Sequence, residues 1–383
     1  MSGSREPLVF LPAQSWERAL PNDPDDPVVF SSRATVRRDL AGHAYPGSAT
    51  AADREEVRLL LHKVLREIGG RSLRRRWKNG EWREIARVEG LSTPEMERWW
   101  DEAETFLFGR HLTALVNTED HLLFRSTWRG LHLREAVQAV READAEASER
   151  LDYAFSPEFG HLTASPDRMG TGFCAEVCLF LPAIKFARAV EPEAWDRVLR
   201  GLTACNLAVD SGERDMPYLR IWNRQTAGKS EERLEEEVEA AAKELAEKEM
   251  AAREAIPKHD ALALLWEDRW ARAKATATVA VVMDAQEEME LLSWLRWGTL
   301  IGRGLVPVEL LDLILMRDQP GIWRFGDSRS QARAKRLEML METFSEQNLG
   351  ELERLFRRKP PRKKCAKRAA AAEDGKAPEG DAP

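Results

Sequence analysis

The spacing of apolar residues predicts both strands and helices along the chain. Residues 51–68 place an apolar side chain at every third or fourth position and are followed by two glycines, which predicts a helix ending near residue 68. Strand-like segments cover residues 112–125, 161–164, 174–184 and 217–223. Further helices are predicted over residues 133–151, from Ser230 to Pro257, and in two segments between residues 261 and 298.

The two ends of the chain differ in composition from the rest. Residues 1–27 are rich in Pro, Asp and Ser, and the prolines disfavour a helix there, so we interpret this stretch as a flexible lead-in. Residues 354–368 hold nine basic and no acidic side chains, and residues 369–383 have low complexity. Residues 351–383 are therefore predicted to form a disordered basic tail.

The overall composition is that of an ordinary globular protein. With 383 residues, of which 43% are hydrophobic and 32% charged, the chain can bury one large core or two moderate ones. Its net charge of −7 argues against a nucleic-acid-binding function for the whole chain, so such contact is expected only through the basic tail. We find no run of roughly 18 apolar residues and no export signal, and we expect a cytoplasmic protein without a membrane span.

The four cysteines do not follow a metal-binding pattern. Cys174 and Cys178 are spaced for one face of a helix or for a buried strand, and neither pairs with Cys205 or Cys365 as in a zinc ribbon. We interpret all four as structural thiols and expect no metal ligands among them.

Two segments contain the residues that point to a chemical function. Residues 115–125 read Leu-Val-Asn-Thr-Glu-Asp-His-Leu-Leu-Phe-Arg, and residues 160–172 read Gly-His-Leu-Thr-Ala-Ser-Pro-Asp-Arg-Met-Gly-Thr-Gly. Their order and spacing resemble two motifs of the ATP:guanido phosphotransferases, which include the creatine, arginine and protein-arginine kinases. Further matching segments are Ser31-Ser32-Arg33, Ile221-Trp222-Asn223, Gly228 to Glu232 and Leu265 to Arg269.

The resemblance implies a fold and an activity. The fold is α+β, with a large antiparallel sheet flanked by helices at residues 28–257 and a helical C-terminal domain at residues 258–350. The activity is transfer of the γ-phosphoryl group of ATP, with Mg²⁺, to a protein arginine. The C-terminal helices are rich in tryptophan, which is typical of a core or a subunit contact, and we expect a homodimer.

Three residues match the family's substrate-binding positions. Glu119 matches a glutamate that binds the guanidinium, and Ser165 replaces the family's reactive cysteine. Counting back from Asn223 without gaps matches Asp210 to the second guanidinium-binding glutamate. Phosphoryl transfer needs a carboxylate that orients the guanidinium, so we expect Glu119 and Asp210 to face one cleft.

Most of the arginines that bind nucleotide phosphates in this family are replaced. Arg33 keeps the first position, whereas the other four hold uncharged residues: Thr35, Leu123, Cys174 and Cys205. Arg125, two residues beyond Leu123, and Arg168, inside the second motif, are candidates to supply the missing charge. Because charge-assisted contacts to a transferring phosphoryl group contribute strongly in a dry site, we expect ATP to bind weakly.

The C-terminal part resembles the bacterial protein-arginine kinases specifically. Residues 313–321 and the segment from Arg329 to Ala334 match it, the latter with Ser330 in place of an aspartate in the Arg-Asp-x-x-Arg-Ala signature. In that family the region helps to bind phosphoarginine. The resemblance therefore implies an anion pocket with Arg329 and Arg333, and an ordinary basic helix face is the alternative interpretation.

Three functions stay open from the sequence. The first is a weakened or inactive protein-arginine kinase, a pseudokinase, that binds protein segments bearing arginine or phosphoarginine. The second is a working protein-arginine kinase with a rebuilt phosphate clamp. The third is a structural subunit that dimerises through its Trp-rich helices. Retention of Glu119 and Arg33 beside the loss of the other cations favours the first over the second.

Overall fold

The computed structural model describes residues 26–74, 83, 86, 90–211, 216–304, 306–316 and 329–344. Its strands are β1 (Val29–Arg38), β2 (Arg71–Ser72), β3 (Glu104–Phe108), β4 (Leu112–Val116), β5 (Leu122–Arg129), β6 (Phe155–Ser156), β7 (Gly160–His161), β8 (Phe173–Phe180), β9 (Leu207–Asp210) and β10 (Tyr218–Asn223). Eight of them form one antiparallel sheet in the order β2-β3-β4-β5-β1-β8-β10-β9, and β6 pairs with β7.

The central strands have one apolar and one polar face. Successive side chains of a strand point to opposite faces, so an alternating sequence separates the two kinds of residue. The apolar face includes Ala34, Val36, Phe124, Ala175, Val177 and Ile221, all of which are buried in the main hydrophobic core. The residues between them lie on the opposite face, which we call the open face.

The helices are α1 (Ala51–Glu67), α2 (Leu133–Ser148), α3 (Pro182–Phe186), α4 (Ala194–Ala204), α5 (Glu231–Ala255), α6 (Asp260–Val279), α7 (Ala285–Leu300), α8 (Val308–Met316) and α9 (Arg329–Thr343). Helices α2 and α5 cover the apolar face of the central strands. Ser230 caps α5 as the sequence predicts, because its hydroxyl accepts a hydrogen bond from the backbone N–H of Arg233.

A second hydrophobic core lies among α6, α7, α8 and α9. Trp266, Trp270 and Trp297 are buried in it, whereas Trp294 is half-buried. Phe180 of β8 also belongs to this core, so the helical part packs directly against the sheet. Gly298 lies so close to Trp270 that an added Cβ would be 2.3 Å from the indole ring.

The structure confirms the predicted fold class, a large antiparallel sheet flanked by helices. The strand prediction for residues 174–184 extends too far, because β8 ends at Phe180 and Pro182 begins α3. Residues 1–25 and 345–383, which include most of the lead-in and all of the basic tail, lie outside the described residues, and the domain boundaries stay predictions. Among the helices in the described part of the chain, none is long and apolar enough to cross a membrane.

Candidate functional site

The open face of the sheet brings charged residues from three adjacent strands into register. Arg33 of β1 lies between Thr127 of β5 and Glu176 of β8. Two residues further along, Thr35 lies between Arg125 and Cys174. Because residues directly opposite each other in an antiparallel pair share a face, these side chains converge on one surface.

Four arginines surround Cys174 on this surface, and we call Arg33, Arg37, Arg125 and Arg168 the arginine cluster. Arg33, Arg37 and Arg168 all lie close enough to stabilise the negative charge of the Cys174 thiolate, although burial is the stronger influence and raises its pKa. Burial, together with repulsion from Arg33 and Arg37, lowers the pKa of Arg125 to about 9. The cluster therefore holds like charges at short range, an arrangement that an anion would stabilise.

The carboxylates around the cluster neutralise it only in part. Arg33 pairs with Glu176 at 3.2 Å, and Arg168 pairs with Asp167 at 3.4 Å. Arg125 donates a hydrogen bond to the backbone oxygen of Gly90 at 3.0 Å, and no carboxylate among the described residues lies within ion-pair distance of it. The cluster thus keeps a surplus of positive charge.

The fourth arginine faces a carboxyl group that is only partly ionised. Arg37 Nε lies 3.4 Å from Asp120 Oδ2. Burial, and next the charge of Asp39, raise the pKa of Asp120 to about 8, so this group is a weak counter-ion near neutral pH. One buried guanidinium nitrogen of Arg37 has no hydrogen-bond partner in the described part of the chain, and the same is true of Arg33 and Arg125.

Glu119 lies at the tip of the tight turn between β4 and β5. The turn closes through a hydrogen bond of 2.8 Å from the backbone N–H of Asn117 to the oxygen of His121, with Asn117 at a φ of 54°. Asn117 tolerates this left-handed conformation better than most residues, and its side-chain amide donates to the backbone oxygens of Arg54 and Glu102. The Glu119 side chain is left exposed.

The structure brings the loop that carries Ser165 beside this turn. The backbone N–H of Ala164 donates a hydrogen bond of 2.8 Å to Asp120 Oδ1, which ties the two family motifs together. Ser165 is half-buried, and its hydroxyl donates to the carboxylate of Asp167. Glu119, Ser165, Arg37 and Arg168 therefore lie at the same end of the sheet.

The structure does not bring Asp210 to that end. Asp210 lies opposite Arg220 of β10, Arg220 lies opposite Cys178, and Cys178 lies opposite Ser31. Glu119, in contrast, precedes Leu122, which pairs with Arg38. Seven residue steps of β1 separate Ser31 from Arg38, or about 23 Å.

Asp210 also has a guanidinium partner from its own chain. Its carboxylate forms an ion pair with Arg220, and the two side chains are directly opposite each other on β9 and β10. The expectation that Glu119 and Asp210 face one cleft therefore disagrees with the register of the sheet. The count without gaps ran through residues 212–215, which lie outside the described residues, and it fixed Asp210 by position in the sequence alone.

The vacated arginine positions have different surroundings. Leu123 is buried with Met96, Ala103 and Leu115 in a small apolar cluster, so its side chain has a packing role. Cys205 is exposed and ends helix α4. The positions of Thr35 and Cys174 lie inside the arginine cluster, because Thr35 pairs with Arg125 on one side and with Cys174 on the other.

The predicted C-terminal anion pocket contains an internal carboxylate. Arg333 Nε lies 3.3 Å from Glu288 Oε2, and Arg336 Nε donates to Glu288 Oε1 at 2.8 Å. Glu288 is fully buried, so these arginines already have a negative partner from α7. The side chain of Arg329 lies outside the described residues, and the role of this region stays a prediction.

Sequence reasoning missed Arg37 and Arg220. Arg33, Thr35 and Arg37 alternate with buried Ala34 and Val36, so the signal for Arg37 was present in the sequence. Arg37 was missed because no strand was predicted over residues 31–38. Nothing in the sequence alone pairs Arg220 with Asp210, since this pairing follows from the β9–β10 register.

Comparisons with known proteins agree with this fold. The family model of the ATP:guanido phosphotransferase C-terminal catalytic domain matches residues 50–252. A protein-arginine kinase from Moorella thermoacetica is 30% identical over 334 residues, which cover 82% of this chain and 91% of that protein. A protein-arginine kinase from Pelotomaculum thermopropionicum is 31% identical over 310 residues, 78% of this chain and 85% of that protein.

Solved structures support the fold. Lombricine kinase superposes with a TM-score of 0.52 at 20% identity, covering 62% of this chain and 70% of that one. The duplicated taurocyamine kinase from Schistosoma mansoni superposes with a TM-score of 0.51 at 20% identity. The matched region covers 60% of this chain and 33% of that chain. The chain belongs to the ATP:guanido phosphotransferase family. Within that family its curated relatives are protein-arginine kinases.

Proposed function

We propose that this protein binds protein segments bearing arginine or phosphoarginine and transfers phosphoryl groups weakly or not at all, as a pseudokinase of the protein-arginine kinase group. One contrast carries the proposal. The cations needed to hold a phosphoryl group converge at the arginine cluster, whereas the two carboxylates assigned to the guanidinium, Glu119 and Asp210, lie at opposite ends of the sheet.

The cluster has the chemistry of a phosphate site. Arg33, Arg37 and Arg125 each offer a buried guanidinium nitrogen without a partner among the described residues, and arginine binds phosphate oxygens through geometrically defined pairs of hydrogen bonds. A phosphoryl group placed near Cys174 would reduce the repulsion among these cations. Of these cations, Arg33 alone keeps a position that the family uses to hold the phosphates of ATP.

Phosphoryl transfer needs more than a phosphate site. A guanidinium must be oriented and deprotonated beside the phosphoryl group, and a misplacement of about 1 Å can cost roughly 100-fold in rate. Glu119 is the one assigned carboxylate near the cluster, and Asp210 already holds Arg220. Mg-ATP is also expected to bind weakly, because four of the five positions that carry phosphate-binding arginines in the family hold uncharged residues here, and a triphosphate needs more cations than one phosphoryl group.

The second candidate function is a working protein-arginine kinase with a rebuilt clamp. The position of Arg125 favours it, since this side chain lies directly across from Thr35, one of the vacated positions. Homodimerisation stays a prediction. Of the four tryptophans predicted as core or subunit contact, Trp266, Trp270 and Trp297 are buried within one chain, and Trp294 is the most accessible.

Calorimetry and a transfer assay on the purified full chain test the proposal. A peptide with one phosphoarginine should bind more tightly than inorganic phosphate, and Arg125→Leu should weaken phosphopeptide binding by about tenfold or more, because one charge-assisted contact is lost. Arg200→Leu, which removes an exposed arginine of α4, is the matched control.

The transfer assay separates the two candidate functions. Radiolabel from the γ-phosphate of ATP should not accumulate on protein arginine above background. Micromolar Mg-ATP binding together with efficient labelling would instead support a working kinase with a rebuilt clamp.

A further inference from the structure

A cavity of about 290 Å³ lies where the sheet meets the helical part of the chain. Its walls come from α3, from the residues that lead into β10, and from one face of α7. The residues that line it include Phe186, Pro217, Gln286, Glu290, Trp294 and Trp297. Its size is close to the lower end of the range for small-ligand sites, roughly 300 Å³. None of these residues belongs to the arginine cluster.

The floor of the cavity is a packed group of aromatic rings. Trp294 and Trp297 stack with their centroids 5.3 Å apart, and Phe186 lies edge-on to both at 5.7 Å. Trp297 is buried, whereas Trp294 is half-buried and lines the cavity. Because these rings support one another, the aromatic surface is held in place without a ligand.

A carboxylate stands beside this aromatic surface. Glu290 lies one turn before Trp294 on the same face of α7, and its side chain is exposed. No cation among the described residues lies within ion-pair distance of it. Glu288, on another face of the same helix, is buried and paired with Arg333 and Arg336. The helix thus uses one glutamate internally and presents the other to the cavity.

Lys185 also lines the cavity, and its ammonium group contacts residues outside the aromatic floor. Lys185 Nζ donates a hydrogen bond of 2.8 Å to the backbone oxygen of Met216 and lies 4.8 Å from the centroid of the Trp195 ring. Its charge is therefore directed to a carbonyl oxygen and an indole outside the aromatic floor. Glu290 and the indole of Trp294 set the chemistry of the opening.

An aromatic surface next to a carboxylate matches the side chain of arginine. A guanidinium is planar, stacks on an indole ring, and forms paired hydrogen bonds with a carboxylate, whereas an ammonium group is more strongly hydrated and lacks the planar fork. We propose that this cavity binds the side chain of an unphosphorylated arginine in a partner protein. This inference rests on the proposed function for one point, that the partner bears arginine.

The cavity lies close to one edge of the open face. Pro217, in its wall, is three residues before Arg220, which pairs with Asp210 on that face. Three strand residues span about 10 Å. An arginine held in the cavity would therefore lie near the Asp210–Arg220 pair at the β9–β10 edge of the open face.

Peptide binding to the purified full chain tests this site separately from the phosphate site. Calorimetry compares an unphosphorylated peptide with two arginines against peptides in which these are lysine or citrulline. The arginine peptide should bind at least about tenfold more tightly than either, because only arginine offers both the charge and the planar fork.

Glu290→Gln is the decisive variant because it changes an exposed side chain and leaves the fold unperturbed. It should weaken binding of the arginine peptide by about tenfold or more, and Trp294→Leu should do the same. Glu287→Gln, an exposed glutamate on the same helix that does not line the cavity, is the matched control and should bind like the wild type.

The outcomes distinguish this inference from the proposed function. Absence of arginine-peptide binding in the wild type, or binding that Glu290→Gln leaves unchanged, overturns the inference. If phosphoarginine binding still depends on Arg125 in that case, the proposed function stands alone. If arginine-peptide binding depends on Glu290 while phosphoarginine binding does not depend on Arg125, the arginine cluster is not the phosphoarginine site and the inference about the cavity stands.

Discussion

Arg37 lies directly opposite Leu123 across the β1–β5 pair. Leu123 occupies the position of a phosphate-binding arginine in the family, and the register places a guanidinium from the neighbouring strand beside it. Residues opposite each other on one face of a sheet lie about 5 Å apart. The positive charge is therefore displaced by one strand, from β5 to β1.

Arg37→Leu should weaken binding of a phosphoarginine peptide by about tenfold or more, because a charge-assisted hydrogen bond to a phosphoryl oxygen is lost. Arg37→Lys should lie between this variant and the wild type, since it keeps the charge and loses the planar fork. Calorimetry on the three proteins measures the order. Equal affinities for all three would place the phosphoryl group away from the β1–β5 pair.

Leu123→Arg, which restores the family residue, should destabilise the protein. Leu123 is packed against Met96 and Leu115, and an arginine there would bring an uncompensated charge into an apolar cluster. We expect the free energy of unfolding to fall by about 3–5 kcal/mol in a urea titration. Leu123→Met, which conserves volume, should cost less than about 1.5 kcal/mol. An undiminished unfolding free energy with tighter ATP binding would show that the site accepts the family residue.

The sequence was sufficient for the fold class and for part of the site. The alternation of Ala34 and Val36 with Arg33 and Arg37 fixes which side chains share a face once β1 is assigned. The two family motifs fix the neighbourhood of Glu119 and Ser165, which the Ala164–Asp120 hydrogen bond joins in the structure.

The rest depends on contacts between distant segments. Asp210 was matched to the second guanidinium-binding glutamate by counting residues through a loop. Such a count does not give the register of β9 against β10, which decides the residue that lies opposite Asp210. Likewise, Arg333 matches a family arginine, yet its partner Glu288 comes from a different helix and 45 positions earlier in the chain. For both residues, tertiary packing determines the charged partner.

Arg333→Ala should reduce stability more than it reduces phosphoarginine binding. Its loss removes one of the cations around the buried carboxylate of Glu288, and Arg336 remains, so we expect a cost of about 1–3 kcal/mol in the free energy of unfolding. The affinity for a phosphoarginine peptide should change less than about twofold. Lys335→Ala, at an exposed position of α9, is the control for both measurements. A large loss of affinity with unchanged stability would support the phosphoarginine pocket instead.

The buried carboxyl group of Asp120 should make stability depend on pH in a defined direction. Burial and the neighbouring Asp39 raise its pKa to about 8, compared with roughly 3.9 in an unfolded chain. Between these values the folded state binds more protons than the unfolded state. The contribution of Asp120 to the free energy of unfolding therefore falls as the pH rises toward 8, with a slope of at most about 1.4 kcal/mol per pH unit.

Urea titrations at pH values between about 6.5 and 8 check this dependence, because the upper limit stays below the pKa of Arg125, which burial lowers to about 9. The lower limit avoids most of the contribution of His161, whose pKa burial lowers to about 4 from roughly 6.5 in an unfolded chain, because that contribution changes mainly between these two values. Asp120→Asn should remove the fall in stability, because an amide can still accept the hydrogen bond from Ala164 without titrating. Asp152→Asn, at an exposed position, should keep it. Ionised Asp120 is a stronger counter-ion for Arg37 than the protonated group. The affinity for phosphoarginine should therefore fall over the same pH range in the wild type and stay constant in Asp120→Asn. Parallel pH profiles of affinity for the two proteins would contradict this assignment.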